Sequence, residues 1–124
     1  MLGRLSLTLV LAGALALAAP AGAAAPFEAT LKTPGHHPKA NKKWPVTVTA
    51  RLPDGTGLKA TLRYVFLYKG RVVSRQSNYH FTGRYTDRTF VWPSSAVGSP
   101  LTLRCQITTK LGTVAIDYAV RVRR

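Results

Sequence analysis

The fold class is decided by the stretch LTLRCQITTKLGTVAIDYAVRVR, which runs from Leu101 to Arg123. Apolar and polar residues alternate over Leu101–Thr109 and again over Thr113–Arg123, the period-two pattern of strands that bury one face. Lys110-Leu111-Gly112 separates the two runs and predicts a bulged hairpin loop. The predicted inward side chains are Leu101, Leu103, Cys105, Ile107, Val114, Ile116, Tyr118, Val120 and Val122.

The same alternation recurs upstream, whereas no stretch beyond the N-terminus shows helical spacing. The further predicted strands are Phe27–Thr33, Trp44–Leu52, Leu58–Tyr68, Arg71–Ser74, Tyr79–Phe81 and Tyr85–Trp92. About seven strands in a chain of this length predict an all-β domain, built as a two-sheet antiparallel sandwich.

Turn-forming residues separate the predicted strands. Lys69-Gly70 predicts a two-residue hairpin, Pro53-Asp54-Gly55 a turn, and Pro93–Gly98 a loop with a helical turn. Residues 34–43, which we call the connector, hold two prolines, a glycine and three lysines. This composition predicts a solvated segment without regular pairing.

The N-terminus has the pattern of a secretory signal peptide. Arg4 precedes an uncharged apolar run from Leu5 to Ala18, and small residues follow. We predict cleavage after Ala23, with Ala24 and Ala25 as neighbouring options, and an uncleaved anchor as the alternative. The expected domains are therefore a signal peptide, 1–23, and one domain, 24–124, that is secreted or associated with the cell envelope.

The chain is strongly basic, with 18 Lys and Arg against 4 Asp and Glu and a net charge of +14. A leader that contains Arg4 alone leaves seventeen basic residues against four acids, or +13. That charge exceeds the range of about 2 to 8 that is ordinary for a small soluble domain. It favours an anionic partner, and the alternative is that self-repulsion merely keeps the protein in solution.

Cysteine chemistry is restricted, because Cys105 is the only cysteine. No internal disulfide can form, so stability has to come from a packed core. The alternation places Cys105 on the apolar face, which favours a buried structural thiol over a redox or intermolecular-disulfide role.

Few residues have the spacing of a catalytic or metal-binding site. The four acids show no paired spacing and are expected to compensate neighbouring positive charges, so we predict no enzyme and no cofactor. The pair His36-His37, with His80 as a possible third ligand, is interpreted as solvated loop histidines rather than a metal site. Trp44 and Trp92 are interpreted as plugs at the ends of the sandwich, with sugar stacking as the alternative.

The order of strands, the Lys110–Thr113 hairpin and the segment Trp44-Pro45-Val46-Thr47-Val48 resemble the small exported immunoglobulin-like proteins of actinobacteria. The resemblance covers nearly all of the mature chain and implies an immunoglobulin-like or fibronectin type III-like sandwich. It carries no catalytic residues over. The chain departs from antibody-type domains because Cys105 has no partner, aromatic residues of Leu58–Tyr68 replace the core tryptophan, and Leu103 replaces the corner tyrosine.

If the last hairpin pairs beside Leu58–Tyr68, as the resemblance implies, one sheet exposes a flat, basic and partly apolar face. Its predicted members are Arg63, Val65, Leu67, Thr102, Arg104, Gln106, Ala115, Asp117, Ala119, Arg121 and Arg123. The candidate surface for an anionic partner is Arg63, Arg104, Arg121, Arg123, Lys42 and Lys43. Asp117 is expected to hold one arginine in place. The alternative is a solvated face partly covered by the connector.

These observations favour an exported non-enzymatic module that binds anionic envelope polymers or acidic glycans. A protein–protein adhesion module that uses a sheet face or an edge strand is the alternative. Extracellular nucleic-acid binding ranks lower, because aromatic and basic residues do not interleave in a reading motif. No small-molecule substrate is expected, and membrane contact is expected only through an uncleaved signal segment.

Overall fold

The structure is a computed structural model that describes residues 25–76 and 78–124. The predicted signal peptide and its cleavage after Ala23 lie outside the described residues. The described strands are β1 Glu28–Lys32, β2 Val46–Arg51, β3 Lys59–Tyr68, β4 Arg71–Arg75, β5 Tyr79–Thr82, β6 Arg84–Asp87, β7 Pro100–Thr109 and β8 Gly112–Arg121. A 3-10 helix spans Ser94–Ala96, within the predicted loop. No helix of the described part has the length and apolar character to cross a membrane.

The strands form two antiparallel sheets, which confirms the all-β prediction. One sheet has the order β1-β2-β6, and the other has the order β4-β3-β7-β8, with β5 also paired to β3. Side chains from both sheets meet in a single apolar core, as in a β-sandwich. The largest fully buried members are Val46, Val48, Leu62, Tyr64, Trp92, Leu103, Cys105, Ile107 and Val122.

Both predicted hairpins are present, although one turn is shorter than expected. Lys69 and Gly70 have φ values of 51 and 78 degrees, so both central positions have the positive φ that a two-residue primed turn requires. In the last hairpin, Gly112 pairs with Thr109, so the turn consists of Lys110 and Leu111 rather than three residues.

The predicted strand Tyr85–Trp92 is wrong in its second half, because β6 ends at Asp87. The Asp87 carboxylate accepts hydrogen bonds from the backbone N–H and the hydroxyl of Thr89, each at 3.0 Å. Such a bond from a side chain to the backbone two residues on turns the chain out of the sheet. Beyond it, Val91 makes only an isolated bridge to Lys43.

The connector forms no strand, as predicted, but its backbone is hydrogen-bonded to the end of β8 and to the residues that follow it. Arg121 N–H donates to His36 O and Arg123 N–H donates to Pro38 O, both at 2.9 Å, and Ala40 N–H donates to Arg123 O at 2.8 Å. β8 is the last strand of its sheet, so its outer edge would otherwise expose unpaired backbone groups. The connector covers the C-terminal end of that edge.

A close backbone approach makes Gly57 sensitive to substitution. A Cβ atom at Gly57 would lie 2.9 Å from the Cα of Gly83, a backbone atom with little freedom to move. We expect Gly57→Ala to lower the free energy of unfolding by about 2 kcal/mol, measured by urea denaturation. Lys59→Ala, at an exposed strand position close by, is the control and should change it by less than about 0.5 kcal/mol. Equal effects of the two variants would contradict this reading of the contact.

Candidate functional site

The outer face of the five-stranded sheet carries a group of basic side chains. Strand pairing aligns one row of residues across four strands, in the order Arg75, Val65, Arg104 and Asp117. Arg63 lies on the same face, two residues before Val65 on β3 and opposite Gln106. We call Arg63, Arg75 and Arg104 the arginine triangle.

Sheet geometry sets the spacing of the arginine triangle around Val65. Arg63 on β3 and Arg104 on β7 are diagonal neighbours on adjacent strands. Residues in this relation are about 7–8 Å apart. Arg75 and Arg104 flank Val65 from both sides, so two strand spacings of about 4.8 Å separate their backbones. Arg75 was not among the predicted site residues, because its register depends on how β4 pairs with β3.

The predicted contact between Asp117 and an arginine is confirmed. Arg104 Nε donates to Asp117 Oδ1 at 2.7 Å, and Arg104 Nη2 donates to Oδ2 at 3.0 Å. The hydrogen bond from Arg104 lowers the pKa of Asp117, and the same bond raises the pKa of Arg104. The two side chains are 35% and 48% exposed, so solvent limits the contribution of the pair to less than about 1 kcal/mol.

The predicted exposure of Val65 and Leu67 is wrong, since they are only 3% and 6% exposed. Both lie on the outer face, outside the main apolar core. Val65 stands between Arg75 and Arg104, whose aliphatic stems can cover an apolar neighbour while the guanidinium groups stay in water. The face is therefore basic rather than partly apolar.

The other predicted site residues lie apart from the arginine triangle. Arg121 Nη1 donates to Gly98 O at 2.6 Å, and Arg123 Nε donates to His37 O at 3.2 Å. These two guanidinium groups are held against loops at the end of β8. Lys42 and Lys43 are exposed in the connector, where Lys43 bridges Val91.

The outer face of the three-stranded sheet is also basic, and none of its residues was among the predicted site residues. Threonine hydroxyls pair across its strands, Thr30 with Thr49 at 2.5 Å and Thr47 with Thr86 at 3.1 Å. The basic side chains of this sheet are those of Lys32, Arg51 and Arg84. The sequence did place Arg51 at an outward position of the predicted strand Trp44–Leu52. It gave no local indication that β2 pairs with β6, which brings Arg84 to the same face.

No family model, curated protein or solved structure matches this chain.

The histidines lie in different places. His36 stacks on Tyr118, with ring centroids 4.1 Å apart, and its Nδ1 donates to Ala119 O at 2.6 Å. His80 is on β5, where its Nδ1 contacts the Thr61 hydroxyl at 3.1 Å. Among the residues that the structure describes, no three His, Cys, Asp or Glu side chains come close enough to hold a metal ion.

The two tryptophans are buried, as the plug interpretation predicts. Trp44 and Trp92 are 3% and 2% exposed and meet edge to face, with centroids 5.5 Å apart. Cys105 is buried as expected, and burial raises the pKa of its thiol to about 12.

Asp87 is the residue that sequence reasoning misjudged most. It was expected to compensate positive charge, but it is 7% exposed and its Oδ2 accepts a hydrogen bond from Tyr64 OH at 3.0 Å. Burial raises the pKa of Tyr64, and the negative charge of Asp87 raises it further. Because Tyr64 and Asp87 belong to different sheets, this contact links the two layers of the fold.

Proposed function

We propose that this protein is an exported, non-enzymatic binding module that adheres to anionic envelope polymers or acidic glycans. The arginine triangle carries the proposal, because it groups three guanidinium groups on one flat sheet face. Arg104 has a carboxylate partner in Asp117, and no such ion pair is found for Arg63 or Arg75 within the described residues. A net charge of +14 adds a long-range attraction for polyanions.

We further propose that the sandwich is of the immunoglobulin-like or fibronectin type III-like kind. Support comes from the strand orders β1-β2-β6 and β4-β3-β7-β8, which divide the strands between sheets as such domains do. The sequence resemblance to exported actinobacterial proteins agrees with this assignment. Export itself is supported by Arg4 and the apolar run from Leu5 to Ala18.

The binding proposal predicts retention on heparin and on immobilised polyphosphate at low salt, with release as NaCl rises. Each cation close to an anionic surface contributes about 1 kcal/mol, so Arg63→Gln with Arg75→Gln should weaken binding about 30-fold. If the protein is exported, it should be recovered outside the expressing cells, and its N-terminal mass then tests cleavage after Ala23.

The matched control is Lys32→Gln with Arg84→Gln, which removes the same charge from the other sheet's outer face. We expect this variant to weaken binding by less than about 3-fold. Equal effects of the two double variants would mean that net charge, rather than the arginine triangle, governs binding. A wild-type protein that elutes without retention at low salt would refute adhesion to polyanions.

Protein–protein adhesion is the second candidate, and the free edge of β4 favours it. All five residues of Arg71–Arg75 are exposed, and in the described structure β4 pairs with β3 alone. An edge of this kind can accept an additional strand from a partner. Capture that withstands high salt would favour this candidate over charge-driven adhesion.

A further inference from the structure

Residues of both sheets line a cleft. It has a volume of about 620 Å³ and lies between β3, β4 and the segment that follows β6. Its aromatic lining consists of Tyr64, Phe66, Tyr68, Tyr79, Phe90 and Trp92. Sites for small ligands have this size and this mixture of apolar walls with few polar groups.

The Asp87 carboxylate lies in the wall of this cleft and has spare capacity to bind a ligand. A carboxylate offers about four acceptor positions, and Tyr64 and Thr89 occupy three of them. Within residues 25–76 and 78–124, the ion pair between Arg104 and Asp117 is the only one found, so Asp87 has no cation at salt-bridge distance. A buried carboxylate without a counter-ion favours a positively charged partner.

The residues that line the cleft do not suit an anionic ligand. The chain has 18 Lys and Arg, yet none of the described residues that line the cleft is Lys, Arg or His. An anionic ligand would find no counter-charge there and would be repelled by Asp87. The proposed binding of polyanions therefore uses a different part of the molecule.

The aromatic rings supply a second attraction for a cation. A cation over a ring face, within about 6 Å of the centroid, is stabilised by the ring quadrupole. The ammonium group of Lys69 already lies 5.4 Å from the centroid of Tyr68, one of the lining rings.

We propose that this cleft binds a small organic ammonium ion with an apolar body. The ammonium group interacts with the Asp87 carboxylate and the ring faces, while the apolar body occupies the space beside Phe66 and Phe90. This function goes beyond adhesion to polyanions and can succeed or fail independently of it.

Three probes with one aromatic body but different charges test the proposal. They are 2-phenylethylammonium, neutral 2-phenylethanol and anionic 3-phenylpropanoate, each titrated into the full chain by NMR and calorimetry. We expect the ammonium to bind at least about tenfold tighter than the alcohol, and the carboxylate not to bind at about 10 mM. Raising NaCl from about 20 mM to about 300 mM should not weaken ammonium binding, since salt screens its repulsion by the basic protein.

Variants identify the groups responsible. Asp87→Asn keeps an oxygen acceptor but removes the charge, and should weaken ammonium binding at least about tenfold. Asp117→Asn removes the same charge from the outer face and should leave binding unchanged. If Asp87→Asn does not fold, Phe66→Leu replaces a lining ring while keeping an apolar side chain, and should weaken binding about fivefold.

Several outcomes would overturn the proposal. They are equal affinity for the three probes, no ammonium binding at about 10 mM, or equal effects of Asp87→Asn and Asp117→Asn. A lysine-containing peptide is the fourth probe, and binding of the peptide without binding of 2-phenylethylammonium would refute a small-molecule site.

Discussion

Replacing Trp44 with alanine should lower the free energy of unfolding by about 4 kcal/mol. The ring is buried and contacts Phe90, Trp92 and Tyr118, with centroids 5.5, 5.5 and 6.0 Å away. Its Nε1–H also donates to Gly35 O at 3.1 Å, which attaches the connector to the core. Urea denaturation followed by circular dichroism measures the loss.

Two further measurements separate the roles of Trp44. Trp44→Phe keeps an aromatic ring but loses the hydrogen bond to Gly35, and should cost about 1–2 kcal/mol. In Trp44→Ala, the amide protons of Arg121 and Arg123 should exchange faster, because they donate to the connector. A loss below about 1.5 kcal/mol in Trp44→Ala would contradict its role as a structural plug.

The folded protein should lose about 4 kcal/mol of stability between about pH 9 and pH 12 through Cys105 alone. Burial, followed by the negative charge of Asp117, raises the pKa of this thiol from 9.0 to about 12. The unfolded chain therefore releases its proton first. Stabilisation is complete below the unfolded pKa and is lost as the pH rises toward the folded pKa. Tyr64, whose pKa is also raised by burial, acts in the same direction at a higher pH.

Free energies of unfolding measured between about pH 8 and pH 11 test this expectation. Cys105→Ala loses packing at every pH, but its stability should fall less steeply above about pH 9 than that of the wild type. Val48→Ala is the control, because it also loses buried packing but removes no titratable group, and it should leave the slope unchanged. Identical slopes for Cys105→Ala and the wild type would show that the thiol does not titrate as expected.

Much of the fold could be predicted because its signals are local. The alternation of Leu103, Cys105 and Ile107 predicts a strand with one buried face, and these three side chains have no exposed surface. Lys69-Gly70 predicts a two-residue turn from residue type alone. The prediction of a strand over Tyr85–Trp92 was wrong in its second half. There the hydrogen bond from the Thr89 N–H to the Asp87 carboxylate turns the chain, and the alternation of residue types contains no information about that bond.

The candidate site was predictable only in part. Alternation correctly placed Arg63 and Arg104 on an outward face, and Asp117 was correctly expected to hold an arginine. The inclusion of Arg75 and the burial of Val65 depend on β4 and β7 pairing on both sides of β3. The sequence contains no local signal for either.

The amino-acid sequence by itself determined that the chain forms strands, that it is strongly basic and that its one thiol is buried. These properties follow from residue type and from the period of two along an extended backbone. Only the tertiary structure decided which strands meet, and hence the arginine triangle, the edge covered by the connector and the contact of Tyr64 with Asp87. The physical reason is that these contacts join residues far apart in the chain, and their pairing is selected by the packing of the whole core rather than by any local pattern.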